Sequence, residues 1–167
     1  DIYEYLSPID SIAYNPDGQY LASCSWDKTI KVWQVRTEAC VKTLGGSASV
    51  VAHEAYSPDG AYMTIAVLDD TIKLWDMASG KFKILSGNKE DNGFAYSPDG
   101  AYVVTSADGT IKLWELANGK CVKTFIGHTG GVGSILYSSD GKYITSRSND
   151  NTIKIWEVES GKCIKTL

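Results

Sequence analysis

The sequence predicts an all-β protein built from four copies of one small antiparallel sheet. Three observations lead there. Tryptophans at 33, 75, 114 and 156 recur at steps of 42, 39 and 42 residues. A turn segment keeps nearly the same step: Asn15-Pro-Asp-Gly18, Ser57-Pro-Asp-Gly60, Ser97-Pro-Asp-Gly100 and Ser138-Ser-Asp-Gly141. The pentapeptide Thr-Ile-Lys-Xaa-Trp ends at each tryptophan, with Val, Leu, Leu and Ile in turn at Xaa. Internal repeats of this length mean that one supersecondary unit is copied along the chain.

Each copy reads as four short strands. The first covers Ser11–Asn15, Ala52–Ser57, Gly93–Ser97 or Gly133–Ser138. The Ser-Pro-Asp-Gly that ends it suits a type I turn, with Ser first, Pro presetting φ second, and Gly fourth. The second strand begins at the repeated Tyr20, Tyr62, Tyr102 or Tyr143. A polar turn around Asp27, Asp69, Asp108 or Asp150 then leads into the tryptophan strand. A further turn, such as Asn118-Gly119, leads to a fourth strand, such as Lys120–Phe125. Helical periodicity is absent, and β-branched and aromatic residues fill the runs. In the third strand Ile30 and Val32 share one face and Trp33 takes the other, because side chains alternate. A sheet apolar on both faces must be flanked on both sides, which radial stacking of small sheets achieves.

Composition agrees with a globular chain. Of 167 residues 43% are apolar and 22% charged, with a net charge of −4. The only arginines are Arg36 and Arg147, and the lysines are spread at repeat spacing, so no basic patch points to nucleic acid. No apolar run is long enough to span a bilayer, and Asp1–Leu6 lacks the pattern of a signal peptide. Cys40, Cys121 and Cys163 each lie seven residues after a repeat tryptophan. Equivalent positions in different copies sit apart, so they are expected, with Cys24, to be small buried thiols in a reducing, cytoplasmic setting.

These motifs resemble the WD40-repeat family over essentially the whole chain. The resemblance rests on the step of about 40 residues, the Ser-Pro-Asp-Gly turn and the Asp six residues before each Trp. It implies a single β-propeller domain over 1–167, with blades at about 5–44, 45–86, 87–126 and 127–167. The namesake Trp-Asp occurs at Trp75-Asp76, and the family's Gly-His at Gly127-His128. The resemblance implies a buried network of His128, Ser146, Asp150 and Trp156, with Asp27 and Trp33, Asp69 and Trp75, and Asp108 and Trp114 as its counterparts. Tyr5, Ser47 and Asn88 stand near the other His positions, and Ile65 replaces the Ser or Thr of the second blade, so those blades should be less firmly specified.

Four blades fall short of the family's usual ring. The outermost units keep apolar residues on both faces, Ile30, Val32 and Trp33 at one end and Ile153, Ile155 and Trp156 at the other, rather than polar caps. Three completions are open: a piece of a longer propeller, a homodimer forming an eight-bladed ring, or a closed four-bladed ring, each of natural or engineered origin.

No catalytic constellation stands out. His53 and Glu54 point to opposite faces of one strand, which disfavours a metal site, and no cofactor motif is present. The carboxylates recur once per unit, as turn residues do. With no such constellation, the function that the resemblance implies is a non-catalytic scaffold for other proteins or peptides, without nucleic acid or membrane. The alternatives are a self-assembling structural unit and an enzyme with a site in the channel. The resemblance places docking on one rim, where the residues preceding each repeated Asp project: Trp26, Leu68, Ala107 and Asn149. Trp26 is the aromatic among them, and Trp is the residue type most enriched in hot spots. Asp10 and His53, at the entrances to first strands, complete the candidate surface.

Overall fold

A computed structural model of the chain describes residues 7–45, 51–67, 71–87, 93–107 and 109–167. Its elements follow from local chemistry. Each Asn/Ser-Xaa-Asp-Gly segment closes on a hydrogen bond from the glycine N–H to the carbonyl three residues back, at 2.8 Å in Gly60 to Ser57 and 2.9 Å in the other three copies. The glycines hold φ between 70° and 73°, the left-handed region that side chains disfavour. The turn is buttressed from its own side chains. Ser57 Oγ accepts from Tyr62 N–H at 2.9 Å and donates to Asp59 Oδ1 at 2.6 Å. The tyrosine that starts each second strand is thus registered by the residue that ends the first.

The strands form separate four-stranded antiparallel sheets, each in simple up-and-down order. Sheet 1 contains β1 (Ile9–Tyr14), β2 (Tyr20–Ser25), β3 (Ile30–Gln34) and β4 (Ala39–Leu44). Sheet 2 contains β5 (Val51–Tyr56), β6 (Tyr62–Val67), β7 (Thr71–Asp76) and β8 (Phe82–Gly87). Sheet 3 contains β9 (Phe94–Tyr96), β10 (Tyr102–Ala107), β11 (Thr110–Glu115) and β12 (Lys120–Phe125). Sheet 4 contains β13 (Val132–Tyr137), β14 (Tyr143–Ser148), β15 (Ile153–Glu157) and β16 (Cys163–Thr166). A bulge precedes the tryptophan in β3, β11 and β15 where each meets its outer strand. It locally disrupts the ladder and bends the outer strand.

The chain divides into two compact units, Asp1–Lys83 and Ile84–Leu167. In the first, the face of sheet 1 carrying Ala22, Cys24, Ile30 and Leu44 packs on the face of sheet 2 carrying Met63, Ile65 and Trp75. In the second, Val104, Ile111, Leu113 and Phe125 of sheet 3 pack on Ile135, Ile144 and Trp156 of sheet 4. Both junctions join the same two surfaces, a forward face and a tryptophan face. The registers explain this, since Ala22 pairs with Val32 and Leu21 with Trp33, which sorts the two sets onto opposite faces.

The cysteines depart from the expectation of burial. All four are free, but only Cys24 is buried; Cys40 is half-buried, and Cys121 and Cys163 are exposed. Cys24 lies on a packed face, whereas the other three sit on outer strands opposite the bulged tryptophan.

Candidate functional site

A polar cluster with a continuous run of hydrogen bonds lies in sheet 4 and the segment entering it. His128 Nδ1 lies 2.8 Å from Asp150 Oδ2, and Nε2 lies 2.8 Å from Ser146 Oγ. Trp156 Nε1 donates to the same Ser146 Oγ at 2.8 Å. One set of roles satisfies every atom. Nδ1–H donates to the carboxylate, so Nε2 accepts the serine hydroxyl, and the serine oxygen accepts the indole N–H. Thr152 and Thr129 complete the cluster: Asp150 accepts from Thr152 Oγ1 at 2.6 Å, Thr152 N at 2.9 Å and Thr129 N at 3.0 Å. These donors, with Thr152 foremost, hold the Asp150 carboxyl well below the usual carboxylate range, against the opposing effect of burial. Gly127 allows the approach, since a Cβ there would meet Trp156 Cη2 at 3.2 Å.

This Ser-His-Asp order has the hydrogen bonds of a hydrolytic triad but not its access to substrate. Ser146 is 1% exposed and its oxygen already receives an indole proton, so no substrate carbonyl can reach it. Asp59, Asp99 and Asp140 are each held below the ordinary range, first by the serine hydroxyl of their own turn. That keeps them ionised acceptors, which is the wrong direction for a general acid. Among the described residues, no three His, Cys, Asp or Glu side chains converge as metal ligands.

The other sheets carry reduced versions of the cluster. Trp33 Nε1 donates to Ser23 Oγ at 2.6 Å, and Trp114 Nε1 to Thr105 Oγ1 at 2.8 Å. Asp27 Oδ1 accepts from Thr29 N at 2.9 Å and Thr29 Oγ1 at 2.7 Å. In sheet 2, Ile65 occupies the acceptor position, and the buried Trp75 N–H has no hydrogen-bond partner. Asp69, Asp108, Tyr5, Ser47 and Asn88 lie outside the described residues.

At the proposed rim, Trp26 N–H donates to Pro8 O at 3.1 Å while its side chain is 56% exposed. Asn149 repeats the backbone contact, donating to Gly131 O at 2.9 Å, and is exposed. Asp10 and Ile9 are exposed beside Pro8. Leu68 and the side chain of His53 lie outside the described residues.

Sequence reasoning passed over a buried cluster in the first unit. Glu54 is buried next to Tyr56, its neighbour on one face of β5, and next to Cys24 of sheet 1, which sequence spacing alone does not join to them. Burial, then the neighbouring Glu54 carboxyl, pushes the Cys24 thiol far up. Burial also pushes the Tyr56 phenol up to about 12. Each unit further holds a cleft beside its sheet junction, of about 340 Å³ near Tyr20, Tyr56 and Met77 and about 320 Å³ near Tyr102, Tyr137 and Val158. Their occurrence at equivalent places marks them as gaps left by stacking rather than as a single built site.

The model of the family described as WD domain, G-beta repeat matches residues 3–34, 38–76, 81–115 and 119–157. A ribosome biogenesis protein BOP1 homolog from Culex quinquefasciatus is 50% identical over 36 residues, which is 22% of this chain and 4% of that protein. The protein of the same description from Drosophila virilis is 42% identical over 36 residues, 22% of this chain and 5% of its own length. The chain therefore aligns with only about a twentieth of the length of these relatives. Among the described residues no helix is long and apolar enough to cross a membrane.

Proposed function

Since this chain belongs to the WD40-repeat family, we propose that it is a non-catalytic interaction scaffold that holds other proteins or peptides. The observation that carries the reading is Trp26, a large aromatic 56% exposed on a backbone held by its own sheet. Exposed indoles on rigid frames give much contact area for little ordering cost, which suits a binding anchor. Ile9 and Asp10 beside it supply an apolar rim and one carboxylate, a combination suited to an apolar side chain flanked by a basic one. A second copy of the chain counts among the proteins to be considered. Cytoplasmic residence is part of the same proposal, supported by free thiols of which two are exposed. The single-domain reading of 1–167 is likewise retained as a proposal, alongside the buried networks as the frame that positions the surface.

The test is a random-peptide library panned on the purified chain. Enriched peptides should lose about tenfold or more in affinity for Trp26→Ala, as a central aromatic hot spot does. The unfolding midpoint should stay unchanged, because the side chain is exposed. Peptides that bind Trp26→Ala as tightly as the parent, or a library yielding none, would refute this surface.

A further inference from the structure

The sheet junction of the first unit holds an ionisable group at a place that is apolar in the second. Glu54 is 4% exposed and pairs with Ile65 on the tryptophan face of sheet 2. The corresponding residues of the other first strands are Ile12, which pairs with Ser23, Phe94, which pairs with Thr105, and Ile135, which pairs with Ser146. A carboxyl thus stands where each other sheet has a large apolar side chain. β5 lies against β1 and β2, and Glu54 meets the packed face of sheet 1 at the fully buried Cys24. In the second unit Ser106 takes the place of Cys24, since each pairs with the isoleucine that follows the repeat threonine. The Ser106 hydroxyl turns to its own sheet, accepting from Gly93 N–H at 2.9 Å, and Ile135 is buried against it in place of a carboxyl.

Among the described residues, the ionisable groups on the two facing surfaces are acids or lysines engaged elsewhere. Tyr56 follows Glu54 on the same face, and Asp10 stands near Cys24 in sheet 1. Tyr20 lies farther along, beside Tyr56 in the cleft. Lys73, buried on the same face of sheet 2 across Ile65, has its Nζ over the Phe82 ring at 5.3 Å. Lys42 of sheet 1 donates to the carbonyls of Met77 at 2.6 Å and Ala78 at 3.3 Å. Burial disfavours the charged form of a carboxyl, and a neighbouring carboxylate acts in the same sense. Protonated, Glu54 costs the junction the burial of a neutral polar group; ionised, it costs that of a charge.

We propose that Glu54 makes the joint between sheets 1 and 2 proton-controlled, closed while the carboxyl carries its proton and loosened when it ionises. In an unfolded chain a glutamate ionises at about 4.3. The stability that the protonated group brings is complete below that value and is lost as pH rises above it. Asp150 in the second unit works in the opposite direction and over a lower range, so it stays constant near neutrality. Burial keeps the Cys24 thiol and the Tyr56 phenol protonated there, so neither contributes to the change. The Trp26 surface plays no part in this device.

Peptide-resolved hydrogen exchange of the 167-residue chain between pH 5 and pH 7.5, corrected for the pH dependence of intrinsic exchange, is the test. Opening of β2 and β5 should increase about tenfold or more across this range, while β10 and β13 should not change. Glu54→Gln, close in shape and uncharged, and Glu54→Ile, which adopts the residue of sheets 1 and 4, should each flatten the profile. Both should also raise the urea midpoint at pH 7.5. Comparison with these variants removes the contributions of His53 and His128, which all three proteins share. A flat profile in the parent overturns the proposal without recourse to a variant. So does an equal rise in both units, or a slope that survives in Glu54→Gln.

Discussion

Replacing Ile65 by Thr should supply the acceptor that the Trp75 indole lacks. The neighbouring sheets set the geometry. Thr105 and Ser146 occupy the register position of Ile65, each opposite the lysine two residues before the tryptophan, and each accepts that indole at 2.8 Å. Thr is also β-branched, so its χ1 restriction matches that of Ile. A buried N–H left unpaired costs about 1–3 kcal/mol. Against this, Ile65→Thr removes two buried carbons at about 0.8 kcal/mol each and adds a hydroxyl. The two effects nearly cancel, so the single variant should lie within about 1 kcal/mol of the parent. A double-mutant cycle isolates the bond. Urea unfolding of the parent, Ile65→Thr, Trp75→Phe and the double variant should give a favourable coupling of about 1–2 kcal/mol between the new hydroxyl and the indole N–H. Trp75→Phe alone should cost less than Trp156→Phe, because only Trp156 loses a hydrogen bond. A coupling within about 0.5 kcal/mol of zero, together with equal costs for the two Trp→Phe variants, would refute the reasoning.

Two further outcomes follow from the polar groups. Folding lowers the Asp150 pKa, so the unfolded chain binds more protons in acid. The stability Asp150 contributes is complete above the ordinary carboxylate value of about 3.9 and is lost as pH falls through the window below it. Unfolding midpoints between pH 5 and pH 2.5 should therefore fall more steeply for the parent than for Asp150→Asn, and equal slopes would count against the network. The Tyr56 hydroxyl is buried without a hydrogen-bond partner, so Tyr56→Phe should be neutral or should stabilise by up to about 1 kcal/mol. Chemical denaturation reading a loss above that amount would show that the hydroxyl has a partner.

Much of the architecture was legible because it is decided locally. The turn glycines need positive φ, the serine or asparagine before them caps the next strand, and alternation separates Ile30 and Val32 from Trp33. The His128, Ser146, Asp150 and Trp156 set was legible through its resemblance to a repeated motif. The roles of Thr129 and Thr152 were not, because a threonine in a polar turn carries no mark of the carboxylate it will face. Burial of the cysteines was misjudged for a related reason: spacing placed three of them at equivalent positions but did not show that those positions lie on outer strands.

By itself, the sequence determined the repeat, its strands and turns, and the two apolar faces of every sheet, since each depends on residues within a few positions of one another. Only the tertiary structure decided which face meets which, that Lys42 and Lys123 span 35 residues to reach carbonyls of the next sheet, and that the Trp75 N–H is stranded while the Trp156 N–H is not. A lysine on an outer strand and an isoleucine on an inner one follow the local pattern equally well wherever they point. Their consequences arise when a neighbouring sheet removes water and leaves each polar atom to the partners that packing supplies.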